Sequence, residues 1–159
     1  MNAVVQNILV RKNFVVNAPV AHTFKTFTEH FNAWWPRSHH IGDQGFTAII
    51  EPRAGGRWFE KLDDGRECDW GSVVAWEPPS RLLLTWDLDS NFQYNPELGT
   101  EVEVLFIAET PERTRVEFEH RKLERYGDKA EAMRATFDSQ GGWTGILAEF
   151  AKAAEAERA

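Results

Sequence analysis

Apolar and polar residues alternate strictly over two stretches of this chain. Val102, Val104 and Phe106 interleave with Glu101 and Glu103 within Thr100–Thr110; Val116, Phe118 and His120 interleave with Arg115, Glu117, Glu119 and Arg121 within Arg113–Leu123. A period of two sends alternate side chains to opposite faces, so these are strands of an antiparallel sheet with one wet and one covered face. Shorter patterns predict strands over Ile8–Asn17, Phe46–Glu51, Arg57–Leu62, Glu67–Glu77 and Arg81–Leu88, with Asp63-Asp64-Gly65 as a hairpin turn and Pro78-Pro79 as a strand end. In Glu67–Glu77 two inward registers compete: Trp70, Ser72, Val74 and Trp76 against Gly71, Val73 and Ala75.

The period changes twice. After Asn17, a candidate N-cap, and Pro19, the residues Val20, Thr23, Phe24, Phe27 and Phe31 recur at helical spacing up to Trp34-Trp35, where Pro36 stops the helix. After Gly127 the helical period runs to the end. Met133, Phe137, Gln140, Thr144, Leu147, Ala151 and Ala154 form one stripe, flanked by Trp143, Ile146 and Phe150. The prediction is one long helix covering the sheet, with Gly141-Gly142 as a kink or close-packing point and the Ala/Glu-rich tail Ala151–Ala159 fraying. Six consecutive strands and a closing helix make an α+β layer structure in a single domain, residues 1–159 with a core of about 8–155.

Composition narrows the function classes. Seven Trp and eleven Phe in 159 residues are an unusually large aromatic share; such rings fill cores and also wall apolar pockets. A net charge of −7 with no Lys/Arg run argues against nucleic-acid and anionic-membrane partners. The lone Cys68 permits no disulfide within the chain and reads as a small buried hydrophobe. Met1–Val10 has no leader pattern and no apolar run reaches the ~20 residues of a membrane span, so the expectation is a cytoplasmic protein.

The order of elements, with four stretches of sequence, resembles the helix-grip or START-like (SRPBCC) superfamily, and within it the family named for the activator of heat-shock protein 90 ATPase. The stretches are VNAPVAHTFKTFTEHFNAWW, EPRAGGRWFEKLDDG, GSVVAWEPPSRLLLTW, and TRVEFEH followed at a distance by GGWTGILAEF. The resemblance implies a curved antiparallel sheet of six to seven strands wrapped around a long C-terminal helix, two short helices after the first strand, and a deep cavity between sheet and helix. It does not imply one function. Relatives bind lipids, hormones or polyketides, some are cyclases or hydrolases, and one is a co-chaperone.

The function expected is binding of a small, mainly apolar molecule between sheet and helix, with no cofactor and no metal. The residues expected to line the site are Trp70, Trp86, Val104, Phe106, Phe118 and His120 on strands, and Met133, Phe137 and Trp143 on the helix. His120 continues the apolar face of its strand; such a histidine is more often a hydrogen-bonded core residue than a working one. His39, His40 and Asp43 have metal-binding side chains, but adjacent histidines diverge and no third ligand follows at a useful spacing. No Gly-x-Ser-x-Gly and no phosphate-binding Gly-x-x-x-x-Gly-Lys occurs. The alternatives are a cyclase or hydrolase using His120 as acid/base, which needs a second polar group nearby, and a chaperone-associated module acting through its outer surface.

Overall fold

A computed structural model describes residues 8–156. Residues 1–7 and 157–159, which hold most of the leader reading and the end of the tail, lie outside the described range. The elements in order are β1 (Val10–Val16), α1 (Val20–Thr28), α2 (Phe31–Trp34), β2 (Phe46–Ile50), β3 (Arg57–Leu62), β4 (Glu67–Glu77), β5 (Arg81–Trp86), β6 (Thr100–Thr110), β7 (Arg113–Arg121), a 3₁₀ segment (Leu123–Lys129), α3 (Ala130–Asp138) and α4 (Trp143–Ala156). The seven strands form one antiparallel sheet in the order β1-β7-β6-β5-β4-β3-β2. It curls around α4, the long C-terminal helix of an α+β helix-grip fold. Among the described residues no helix is long and apolar enough to cross a membrane.

Register follows the alternation. Val104 pairs with Phe118 and Val102 with His120, all buried on the helix side. The wet face opposite carries a ladder in which Arg81 and Arg121 reach Glu103, and Arg121 and Lys122 reach Glu101. Partial burial pushes both carboxyls up, but Lys122 and Arg121 at Glu101, and Arg81 and Arg121 at Glu103, outweigh it and hold both below the usual carboxylate range. The pair is a solvated salt-bridge ladder.

In β4 each competing register holds over part of the strand. Trp70 is buried, and the ladder to β3 shifts between Trp58 and Phe59, opposite it. Val73 is then buried and Val74 exposed, and a second shift between Val73 and Ala75 brings Trp76 against Phe24. Each bulge adds a residue and exchanges the faces, which a period-two reading does not anticipate.

The C-terminal segment departs from a single helix. Ser139, with extended backbone, ends α3, and Trp143 begins α4. Gly142 packs so closely that a Cβ there would collide with the carbonyl oxygens of Thr136 and Phe137. Gly142 is thus the close-packing point expected there, and the turn from Ser139 to Gly142 separates two helices where one long helix was predicted. The tail also docks further than composition suggested. Ala154 is fully buried, its carbonyl accepts a hydrogen bond from His22 Nε2 (2.9 Å), and Glu155 accepts one from the Asn17 N–H (2.8 Å). Alanine is small enough to let α4 and α1 approach there.

Candidate functional site

Seven strands and α4 enclose more volume than α4 fills, and two sets of rings divide the remainder. Phe24 and Phe27 of α1 fill the middle, meeting Phe106 at 5.2 and 5.9 Å between ring centres, and Phe150 of α4 joins Phe27 at 5.0 Å. Toward β4 and β5, where α3 and the start of α4 close the other side, a cavity of about 440 Å³ remains open. Four expected residues line it: Trp70, Trp86, Phe137 and Trp143. Val104, Phe106, Phe118, His120 and Met133 are buried but lie outside its lining, in the filled part of the core. Strand period identifies the inward face; which part of that face a helix covers depends on where α1 lands.

Apart from Thr136 of α3 and Ile146 of α4, the remaining wall comes from loops. Trp35, Ser38, His39, His40 and Ile41 precede β2, Leu88 and Phe92 follow β5, and Ser139, Gly141 and Gly142 form the break between α3 and α4. Loop residues show no period, so the sequence pattern does not assign them.

Glu60 of β3 holds the first loop in place. It is 0% exposed, and four donors meet its carboxylate: Ile41 N–H (2.6 Å) and Trp70 Nε1 (2.9 Å) at one oxygen, Gly42 N–H (3.0 Å) and His40 Nδ1 (3.1 Å) at the other. The His40 ring stacks on Phe46 at 4.1 Å. His39 turns the other way: its Nε2–H donates to the Gly141 carbonyl (2.6 Å) and its Nδ1 meets Ser38 Oγ (2.8 Å). One hydrogen bond thus ties the loop to the helix break at the cavity edge. Asp43 pairs with Arg66. The two histidines and Asp43 point apart, and among the described residues no three His, Cys, Asp or Glu side chains converge on a metal position. Cys68 is half-buried, and burial pushes its thiol up, away from a reactive thiolate.

His120 is the centre of a closed relay. Trp143 Nε1–H donates to His120 Nδ1 (3.0 Å), and Thr100 Oγ–H donates to the Trp86 carbonyl (2.6 Å). Thr100 Oγ, 3.1 Å from His120 Nε2, must therefore accept from it, which assigns a neutral Nε2–H imidazole. Both nitrogens are occupied, and burial drives the pKa down to about 3. This histidine joins α4, β7, β6 and β5, with both ring nitrogens engaged in the core.

That arrangement has a pH signature. The unfolded imidazole takes up a proton near pH 6.5 and the folded one does not, so stability is complete above pH 6.5 and declines as pH falls toward 3. At pH 5 the deficit from this residue is about 2 kcal/mol, 1.5 pH units at ~1.36 kcal/mol each. Urea titrations at pH 7 and pH 5 measure it, and the His120 Cε1 proton should hold its NMR shift between them. A folded-state titration near pH 6.5 contradicts the assignment.

Among the described residues, Trp86 Nε1 is the one buried side-chain nitrogen or oxygen without a hydrogen-bond partner. Burial raises the pKa of the nearby Tyr126 hydroxyl, which donates its proton to the Leu88 carbonyl (2.6 Å).

Comparison with known proteins follows the same architecture. The profile of the family described as Activator of Hsp90 ATPase homolog 1-like protein matches residues 17–155. A search of curated proteins gave no match. Among solved structures, an anthrahydroquino-gamma-pyrone synthase (Txn09) complexed with SUM is 39% identical, covering 91% of this chain and 95% of its own, with a TM-score of 0.63. The self-sacrificing resistance protein CalC from Micromonospora echinospora is 31% identical, covering 95% and 96%, with a TM-score of 0.72. Protein NE0264 from Nitrosomonas europaea, at 13% identity, 94% and 96% coverage and a TM-score of 0.64, shares the fold.

Proposed function

The chain belongs to the Activator of Hsp90 ATPase homolog 1-like family, and from that premise we propose that it binds a small, uncharged, mainly apolar molecule in the cavity bounded by β4, β5, α3 and α4. The observation that carries this reading is the lining itself. About 440 Å³ lies within the range of ligand sites, roughly 300–1,000 Å³. Its body is Trp35, Trp70, Trp86, Phe137, Trp143 and Ile146, and its polar side chains are Ser38, His39, His40, Thr136 and Ser139. Among the described residues no Asp, Glu, Lys or Arg faces it, although the chain carries 43 of them, 25 acidic and 18 basic. Burying an unpaired charge costs several kcal/mol, so such a wall selects an uncharged guest.

The likeness to a synthase favours a second reading, in which the bound molecule is also transformed. His120 is spent in the core, and the acid–base groups on the lining are His39, whose Nδ1 faces the Ser38 hydroxyl, and His40, whose Nδ1 is held by Glu60. A chaperone-associated role, which the family description names, would run through the outer surface and needs no open cavity.

The test is titration with N-phenyl-1-naphthylamine, an uncharged dye, with native mass spectrometry of the purified protein alongside. The expected result is one dye per chain, with quenched tryptophan emission and a rise in dye emission. If no member of a panel of apolar probes binds the folded protein, the cavity has no ligand role and the outer-surface reading is preferred.

A further inference from the structure

Phe92 is the one aromatic on the cavity lining whose ring stays open to water, at 43% exposure. Among the described residues its ring meets no other ring, whereas Trp35, Trp70, Trp86, Phe137 and Trp143 each contact at least two. Its backbone is left-handed, with φ +57°, a region that bulky residues seldom adopt.

The conformation is held from both sides. Asp89 Oδ1 accepts from the N–H groups of Asn91 (2.8 Å) and Gln93 (3.0 Å), the Asp89 carbonyl accepts from Phe92 N–H (2.8 Å), and Asp89 N–H donates to the Gln93 carbonyl (2.9 Å). The loop base is fastened as well: Asp87 Oδ1 accepts from Gly99 N–H and the Asp87 carbonyl from Asn95 N–H. Strain and an exposed ring both oppose folding, and a tightly bonded tip persists in that state only because its surroundings over-determine it. A backbone fixed beforehand leaves only side-chain rotamer freedom to lose when a guest stacks on the ring.

We propose that Phe92 is the outer wall of the binding site and selects a flat, uncharged, fused-ring aromatic guest. The inner rings of such a molecule lie among Trp70, Trp86 and Trp143, and its outer ring stacks on Phe92. Any polar substituent faces Ser38, His39 and Ser139. The ring count on the wall argues for this class. Aromatic faces and edges attract one another beyond what buried area supplies, and an aliphatic guest gains nothing from that term. The inference rests on the cavity being a ligand site and goes further by naming the guest and the residue that selects it.

The experiment measures binding of 9-fluorenone, a flat uncharged three-ring ketone, by calorimetry to the wild-type protein and to Phe92→Tyr, Phe92→Leu and Phe92→Ala, each first checked for an unchanged melting temperature. Phe92→Tyr keeps the ring and should stay within about twofold of wild type. Phe92→Leu and Phe92→Ala should each weaken binding about tenfold. If Phe92→Leu binds as well as wild type, ring stacking is refuted; if Phe92→Ala does, Phe92 is no part of the wall. If cyclododecanone, an uncharged apolar ketone with no aromatic ring, binds the wild type and 9-fluorenone does not, the fused-ring class is wrong while the cavity reading stands. If neither binds, the cavity reading itself fails.

Discussion

Trp143→Ala is expected to destabilise the protein by about 3–5 kcal/mol. The ring is 2% exposed and lies at the start of α4 between the sheet and the α2 end of the core. It meets Phe118 at 4.6 Å, Trp86 at 5.7 Å and Trp35 at 6.0 Å between ring centres. Truncation removes these contacts and also leaves His120 Nδ1, a buried acceptor, without its donor. The void would open into the existing cavity, so neighbouring side chains cannot close it by small shifts. Trp143→Phe separates the two contributions: it keeps most of the packing and loses only the N–H, for about 1–2 kcal/mol. Urea denaturation at pH 7 measures both. A loss below 1 kcal/mol for the alanine variant would mean that the ring is not the wedge between helix and sheet.

An effect of similar size is expected at a residue with no apolar surface to lose. Glu60→Ala removes a fully buried carboxylate that receives four hydrogen bonds. Deleting it strands two backbone N–H groups, an indole N–H and an imidazole N–H. Each bond to a charged group contributes about 1.5–3 kcal/mol, and neighbouring ones do not add fully, so about 3–5 kcal/mol is expected. The variant has a second signature. Trp70 and the loop carrying His40 and Ile41 both border the cavity and both depend on Glu60, so dye affinity should fall together with stability. Glu119→Ala, which breaks solvent-accessible pairs with Arg11 and Arg121, provides the contrast and should change stability by less than about 1 kcal/mol. Unchanged stability and dye affinity in Glu60→Ala would show that other groups position this loop.

Glu60 also marks where reading the sequence stops. It stands in the strand Arg57–Leu62 between Phe59 and Lys61, and its letter is that of any solvated glutamate. Only the approach of the His40–Gly42 loop and of Trp70, remote in sequence, turns it into a buried anchor. The same holds for Phe92, an aromatic in the polar stretch Asp89–Gly99. Its lack of period was a usable signal, since a lone ring among turn residues has no core to join, but its place at the cavity edge depends on the whole curl of the sheet.

What the sequence determined by itself are the features written in local periods and punctuation. Alternation over Thr100–Thr110 and Arg113–Leu123 specified strands and their inward faces, because side chains in a strand must point alternately whatever surrounds them. Proline and glycine placed the turns, and the family motifs supplied the helix-grip order. Tertiary structure alone decided how the inward face is divided. Val104, Phe106 and Phe118 have the same pattern as the strand residues that border the cavity, yet they lie outside its lining, because α1 and α4 fill the middle and leave the end near β4 and β5 open. It also decided the state of His120, whose strand position foretold burial but whose two nitrogens are satisfied by Trp143 and Thr100, from other strands and helices. Local patterns constrain direction; volume left unfilled, and donors meeting acceptors across distant segments, are properties of the packed whole.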